Sequence, residues 1–288
     1  MEKAMQPNRK NVHYYHANAS AFGGYVERPF SEPLETVASL SLSPVGGYGS
    51  TRHEKFRYRE LISFDAGYTH VAGTYDHVGN GNTTQVKAVL EGLNVNNIFF
   101  ADRIACHIHI DHNVGSEYPK VSFIGSHFDN LRVGSCKITP VLDLDICQDG
   151  DGTEHPKQRA TENPRLLEHA RSHAKKMAAH WNQHAKDKHR RFQWLERFGT
   201  TVEEWEKRVK RKGVVITSIV KEIEGSCGGT TFGHTIDIPE FGKVILGELI
   251  VEQGTFDLTM IRFELGCGVQ LMAHGSHGSG NGGGSGGG

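Results

Sequence analysis

Apolar and polar residues alternate with a period of two along two stretches of this chain, residues 37–146 and 214–265. The segment between them has a helical period instead. A pattern that moves from a period of 2 to 3.6 and back predicts a β domain interrupted by a helical insertion. Val37-Ala38-Ser39-Leu40-Ser41-Leu42 alternates and stops at Pro44 and Gly46-Gly47. Further strands are expected over 58–70, 84–90, 98–110, 120–124, 131–133 and 138–146, with Gly79-Asn80-Gly81-Asn82 as a turn signal. They resume at 214–223, 235–238, 243–251 and 255–265. Short strands separated by Gly, Pro and Asn, with no helix-length pattern before residue 150, argue against a doubly wound sheet. The expected fold is mainly β, an antiparallel β-sandwich or barrel with an inserted basic helical hairpin.

The insertion follows the polar loop Gln148-Asp149-Gly150-Asp151-Gly152. A long helix is expected from about 164 to 198, because Leu166, Ala170, Ala174, Met177, Trp181, Ala185, Phe192 and Leu195 recur as one stripe. Gly199 is a suitable stop, and Thr201 with Glu204 three residues later is a capping-box signature. A second helix then carries Trp205 and Val209 and ends at Lys210-Arg211-Lys212-Gly213, where the cations complement the helix dipole. The resulting division is a discontinuous β domain, 1–150 and 214–272, with a helical hairpin at 153–213. Residues 273–288, nearly all Gly and Ser, are expected to be a flexible tail. A complete β domain would bring the ends of the insertion together, so 138–146 and 214–223 should be antiparallel neighbours.

Charge sharpens this division. The 288 residues carry a net charge of −1, which excludes a wholly basic nucleic-acid binder. Yet residues 155–213 hold 16 Lys or Arg against 7 Asp or Glu, a surplus of +9 that leaves −10 for the remainder. Two such parts attract each other, within one subunit or between subunits, over a screening length of about 8–10 Å. The 5 cysteines (Cys106, Cys136, Cys147, Cys227, Cys267) form no CxxC pair and no disulfide framework. The N-terminal residues lack a signal-like apolar run, and no stretch approaches a membrane span. A cytoplasmic location is the default expectation, with an extracellular or surface location left open.

One string stands out chemically. His107-Ile108-His109-Ile110-Asp111-His112 resembles the HxHxDH signature of the metallo-β-lactamase fold. Gly233-His234-Thr235 resembles that family's later histidine motif, and Glu248 stands where it places an aspartate. The resemblance implies a metal-dependent hydrolase using His107, His109, Asp111, His112 and His234 to hold zinc or iron. The residues themselves read differently. Ile104, Cys106, Ile108 and Ile110 alternate straight through the string, which puts His107, His109 and Asp111 on the polar face of one strand. On that reading no cofactor is required; on the first, zinc is.

The helical segment carries His169, His173, His180 and His184, two pairs one turn apart that could clamp a metal or simply be a polar face. Its basic run, Lys186, Lys188, Arg190, Arg191, Lys207, Arg208, Lys210, Arg211 and Lys212, could meet nucleic acid. The acidic remainder of the chain is the more economical partner. No Gly-rich phosphate loop and no GxSxG elbow is present.

A second resemblance runs through Ala17-Asn18-Ala19-Ser20-Ala21-Phe22-Gly23-Gly24, Ile98-Phe99-Phe100-Ala101-Asp102-Arg103-Ile104 and Gly125-Ser126-His127-Phe128-Asp129-Asn130-Leu131-Arg132-Val133. It continues in Ile238-Pro239-Glu240-Phe241-Gly242-Lys243-Val244 and Thr259-Met260-Ile261-Arg262-Phe263-Glu264-Leu265-Gly266. These segments resemble uncharacterised bacterial β proteins akin to the choice-of-anchor surface-protein group. That resemblance implies an all-β scaffold with a structural or surface role. The expected function is therefore a non-enzymatic structural protein that self-assembles, its partner being itself as a homo-oligomer. Trp181, Phe192, Trp205, Arg190, Arg191, Lys210 and Arg211 of the helical segment are the candidate contact residues.

Overall fold

The computed structural model describes residues 13–26, 32–78, 81–114, 116–148, 156, 158–184, 201–252, 254–265, 269–273 and 277–280. In chain order it forms β1 (Tyr15–Ala19), β2 (Phe22–Val26), β3 (Glu32–Val37), β4 (Leu40–Ser41), β5 (Gly47–Tyr58), β6 (Ile62–Asp76), β7 (Gly81–Val95) and β8 (Phe99–Asn113). Five short strands follow: β9 (Lys120–Ser122), β10 (His127–Asp129), β11 (Arg132–Val133), β12 (Cys136–Lys137) and β13 (Thr139–Leu142). Helices α1 (Pro164–His184) and α2 (Val202–Lys212) come next. The chain then makes β14 (Val214–Ser218), β15 (Val220–Glu224), β16 (Thr230–Phe232), β17 (Thr235–Ile238), β18 (Gly242–Glu252), β19 (Thr255–Leu265), β20 (Val269–Ala273) and β21 (His277–Gly280). The fold is mainly β with antiparallel sheets, and it is not a closed barrel.

One sheet is a meander of long strands. β5, β6, β7 and β8 pair in sequence, and β9, β10 and β11 line the far side of β8. The other sheet is built from distant parts of the chain, in the order β16-β17-β18-β19-β20-β2-β3, with β14 also on β18. The pairing of Gly23 with Met272 and of Gly24 with Leu271 joins the two ends of the sequence. The sheets meet face to face, since the Phe99 ring of β8 packs edge-on against Phe263 of β19 at 5.0 Å. Val86, Leu90 and Ile108 from one side and Val244, Leu246 and Leu258 from the other share a single apolar core. Burial at about 25 cal/mol per Å2 makes this interface the principal driving force of the fold.

The helical segment is tied into that core. Asn163 accepts from the Leu166 amide at 3.1 Å, and Pro164 follows it in the first turn, where its missing N–H costs nothing. Leu166, Ala170, Ala174 and Met177 are buried, the first three within the same cluster as the strands. The expected end of α1 near residue 198 lies outside the described residues. α2 begins as the capping box implies, with Thr201 Oγ1 accepting from the Glu204 amide at 3.2 Å. It ends at Gly213, whose φ of 64° is the left-handed cap that glycine adopts without strain.

The ends of the helical segment do meet. β13 pairs antiparallel with β15, Thr139 opposite Glu224 and Pro140 opposite Ile223, and the Asp143 amide donates to the Ile219 carbonyl at 2.7 Å. Two expectations need correction. The strand expected over 58–70 starts too early: residues 59–61 are the turn of a hairpin, with Tyr58 ending β5 and Arg59 at a φ of 51°, and β6 takes up the strand from Ile62 onward. The tail expected to be flexible over 273–288 contributes β21, which pairs with both β1 and β19. A Gly/Ser strand has little to bury, but lying between two partners it bonds along both edges, and that offsets its ordering entropy.

Candidate functional site

β8 determines what the HxHxDH string does. Ile104, Cys106, Ile108 and Ile110 face the core. The alternate residues form rows across the outer face: Ser50, His70, Lys87 and His107 in one, Gln85, His109 and Ser122 in the next, then Thr83, Asp111 and Lys120. His107 is fixed by its surroundings. Its Nδ1 lies 2.6 Å from the Ile124 carbonyl oxygen, and its backbone amide donates to Ser126 Oγ at 2.9 Å. A side chain at Gly125, where φ is 102°, would strike His107 Nδ1 at 2.7 Å. Burial holds the His107 pKa below that of a free imidazole, with the Ile124 carbonyl acting in the opposite direction.

His109 donates from Nε2 to Asp111 Oδ1 at 2.9 Å, and Thr83 donates to the same oxygen at 2.9 Å. Burial works to raise the Asp111 pKa, but those two hydrogen bonds outweigh it and hold the carboxyl below its ordinary range. His112 is placed elsewhere, 5.6 Å ring to ring from His13, which itself lies edge-on to Tyr15. Burial lowers the His112 pKa.

His234 belongs to neither group. It lies in the turn between β16 and β17, fully buried, with its ring parallel to that of His173 on α1 at 5.2 Å. Glu248, matched to the hydrolase aspartate, is on β18 and pairs with Arg262 at 3.0 Å. The five residues of the expected metal set are therefore spread over a strand's outer face, the His13 corner and the underside of α1. Among the described residues, no group of three or more His, Cys, Asp or Glu is arranged to hold a metal ion. Period-two alternation is the cause, because it separates adjacent members of the string onto opposite faces.

Beneath α1 the sequence grouped the residues differently from the fold. His169 and His173, one turn apart, have ring centroids 4.4 Å from each other, and His234 completes the row from the sheet side. His180 stacks on Phe232 at 3.7 Å. The i,i+4 spacing exposed the helix pair in the sequence, but nothing local to residue 234 indicated its partner.

The basic helix is the third candidate. Trp205, expected at a subunit contact, is instead buried within this chain with 4% exposure, where it anchors α2. This follows from amphipathicity, since it shares the inner side of α2 with Val209. Lys207, Lys210, Arg211 and Lys212 are exposed. Arg171 of α1 pairs with Glu206 of α2 at 2.9 Å and links the helices. Phe192, Arg190 and Arg191 lie outside the described residues, as does the side chain of Trp181.

No helix among the described residues is long and apolar enough to cross a membrane. A family described as a domain of unknown function (DUF8256) matches residues 13–252, a span that includes both helices and the strands from β1 to β18. No curated protein and no solved structure matches the chain.

Proposed function

The chain belongs to the DUF8256 family, and from that premise we propose that it is a non-enzymatic structural protein that assembles with copies of itself. The helical segment supplies the contact between subunits, as in a filament, sheath or surface layer. The observation that carries this reading is the outer side of α2. Lys210, Arg211 and Lys212 are exposed on a helix anchored by Trp205, and no described carboxylate forms an ion pair with any of the three. The nearby Glu206 is already engaged by Arg171. A rigid cationic face on a chain whose remainder carries −10 suits the acidic surface of a second copy.

The long edge of the meander sheet suits that role less well. β5 pairs only with β6 among the described residues. It carries Arg52, Lys55 and Arg57, and Lys55 has a φ of 56°. Charge on an edge strand discourages strand addition. The resemblance to the choice-of-anchor group also favours a structural role.

The test is charge reversal on α2. Lys210→Glu with Arg211→Glu is sized beside the parent chain by light scattering at low salt. The parent should be larger than one chain and the variant reduced to a single chain. A variant of the same size as an oligomeric parent would refute the role of α2, and a monomeric parent would refute assembly.

A further inference from the structure

The imidazoles beneath α1 have a property that assembly does not use. His173 is 2% exposed, with the Val220 backbone as the polar group that favours its charged form, and Nε2 of His169 has no hydrogen-bond partner among the described residues. On its own helix His173 faces His169 and Lys176, and on the sheet side His234. His169 faces Lys176, Lys221 and Asp143. Asp143 is the one carboxylate in that set, and it is already bound by Arg165 at 2.7 Å and Lys221 at 3.5 Å. A proton arriving on His173 therefore meets cations and other imidazoles, opposed by the Val220 backbone alone and with no free counter-charge.

We propose that His169, His173 and His234 form an acid-sensitive latch that docks α1 on the sheet while neutral and releases it when protonated. Release needs only the α1 contacts to open, because β7 and β8 lie in the other sheet. The latch does not depend on assembly, and its test uses no measure of oligomer size.

The direction of the effect follows from burial. Burial, with His169 and Lys176 adding to it, lowers the His173 pKa from 6.5 to about 3. Burial likewise lowers that of His169. At pH 7.5 these groups are neutral whether α1 is docked or released, and they contribute no penalty. Below about 6.5 the released form takes up protons that the docked form excludes, so docking weakens as the pH falls. For His173 alone the released population should rise about 30-fold between pH 7.5 and pH 5.

Hydrogen–deuterium exchange of the full chain, corrected for intrinsic rates, reads this directly. At pH 5 the amides of α1 should open at least 10-fold more than at pH 7.5, while those of β7 and β8 keep their protection. His173→Phe, which keeps a ring in the pocket, should remove most of the difference. Equal opening of α1 at the two pH values would overturn the latch. So would a pH dependence present only without EDTA, since the acid would then be releasing a metal ion. Should His173→Phe fail to fold, proton NMR of the parent decides: His173 must stay neutral at pH 5 with α1 docked, and titration near 6.5 would overturn the proposal.

Discussion

Arg262 of β19 reaches Glu248 of β18 with Nη2 3.0 Å from Oε2, and both side chains are almost wholly buried. The strands fix this approach, since Glu248 stands opposite Thr259 and Arg262 opposite Ile245 in the same ladder. Two charges removed from water are held there by one another, with Glu264 3.8 Å away on the other side of the guanidinium.

Breaking that pair should be severe and replacing it mild. Arg262→Ala leaves a buried carboxylate without its cation and should destabilise the protein by about 3–5 kcal/mol. Arg262→Met combined with Glu248→Leu should come within about 1–2 kcal/mol of the parent. Urea unfolding followed by circular dichroism measures both.

Trp205→Ala should lower stability by about 3–5 kcal/mol, because it empties a site that joins α2 to the main core. Lys210→Ala, on the exposed side, should change it by less than about 0.5 kcal/mol. Similar losses for the two variants would mean that α2 is not docked through its tryptophan.

The thiols should separate by depth. Cys136 is exposed, while Cys106 and Cys147 are buried. Burial pushes the Cys147 thiol up to about 12, so at pH 8 it is protonated as well as inaccessible. In timed alkylation with mass mapping, Cys136 should react within minutes, and Cys106 and Cys147 only after denaturant is added.

Asp111 should stabilise the sheet in the same pH sense as the latch, its contribution also being lost on acidification. Its pKa is lowered in the folded chain, so its contribution is present above the ordinary value of 3.8 and is lost as pH falls through the folded value. Asp111→Asn should therefore lower the melting temperature at pH 6 and lower it by less at pH 2.5. An equal loss at both would assign the effect to packing instead of charge.

The alternating runs were legible because one face of each strand is apolar, as in β8 and β19. The capping box at Thr201 and the meeting of the insertion's ends also followed from local chemistry. β1 was harder to see, because its buried positions include the small Ala17 and Ala19, which carry little hydrophobic signal. β21 was invisible to pattern, since His277-Gly278-Ser279-Gly280 has no apolar alternation. For the HxHxDH string both readings were open in the sequence: a motif matches residue order, whereas alternation decides which of those residues share a face. His234 found its true neighbour, His173, only through tertiary packing, and Trp205 turned inward because α2 had a core to pack against.

Assembly through charge is the centre of the account, and sedimentation velocity of the parent chain tests it most directly. The chain would be run across a tenfold range of concentration, at about 50 mM and about 500 mM salt. At low salt the weight-average coefficient should rise with concentration beyond that of a 31.8 kDa chain, and at high salt it should fall back toward the single chain. A single-chain coefficient at every concentration in both salts would contradict self-assembly outright.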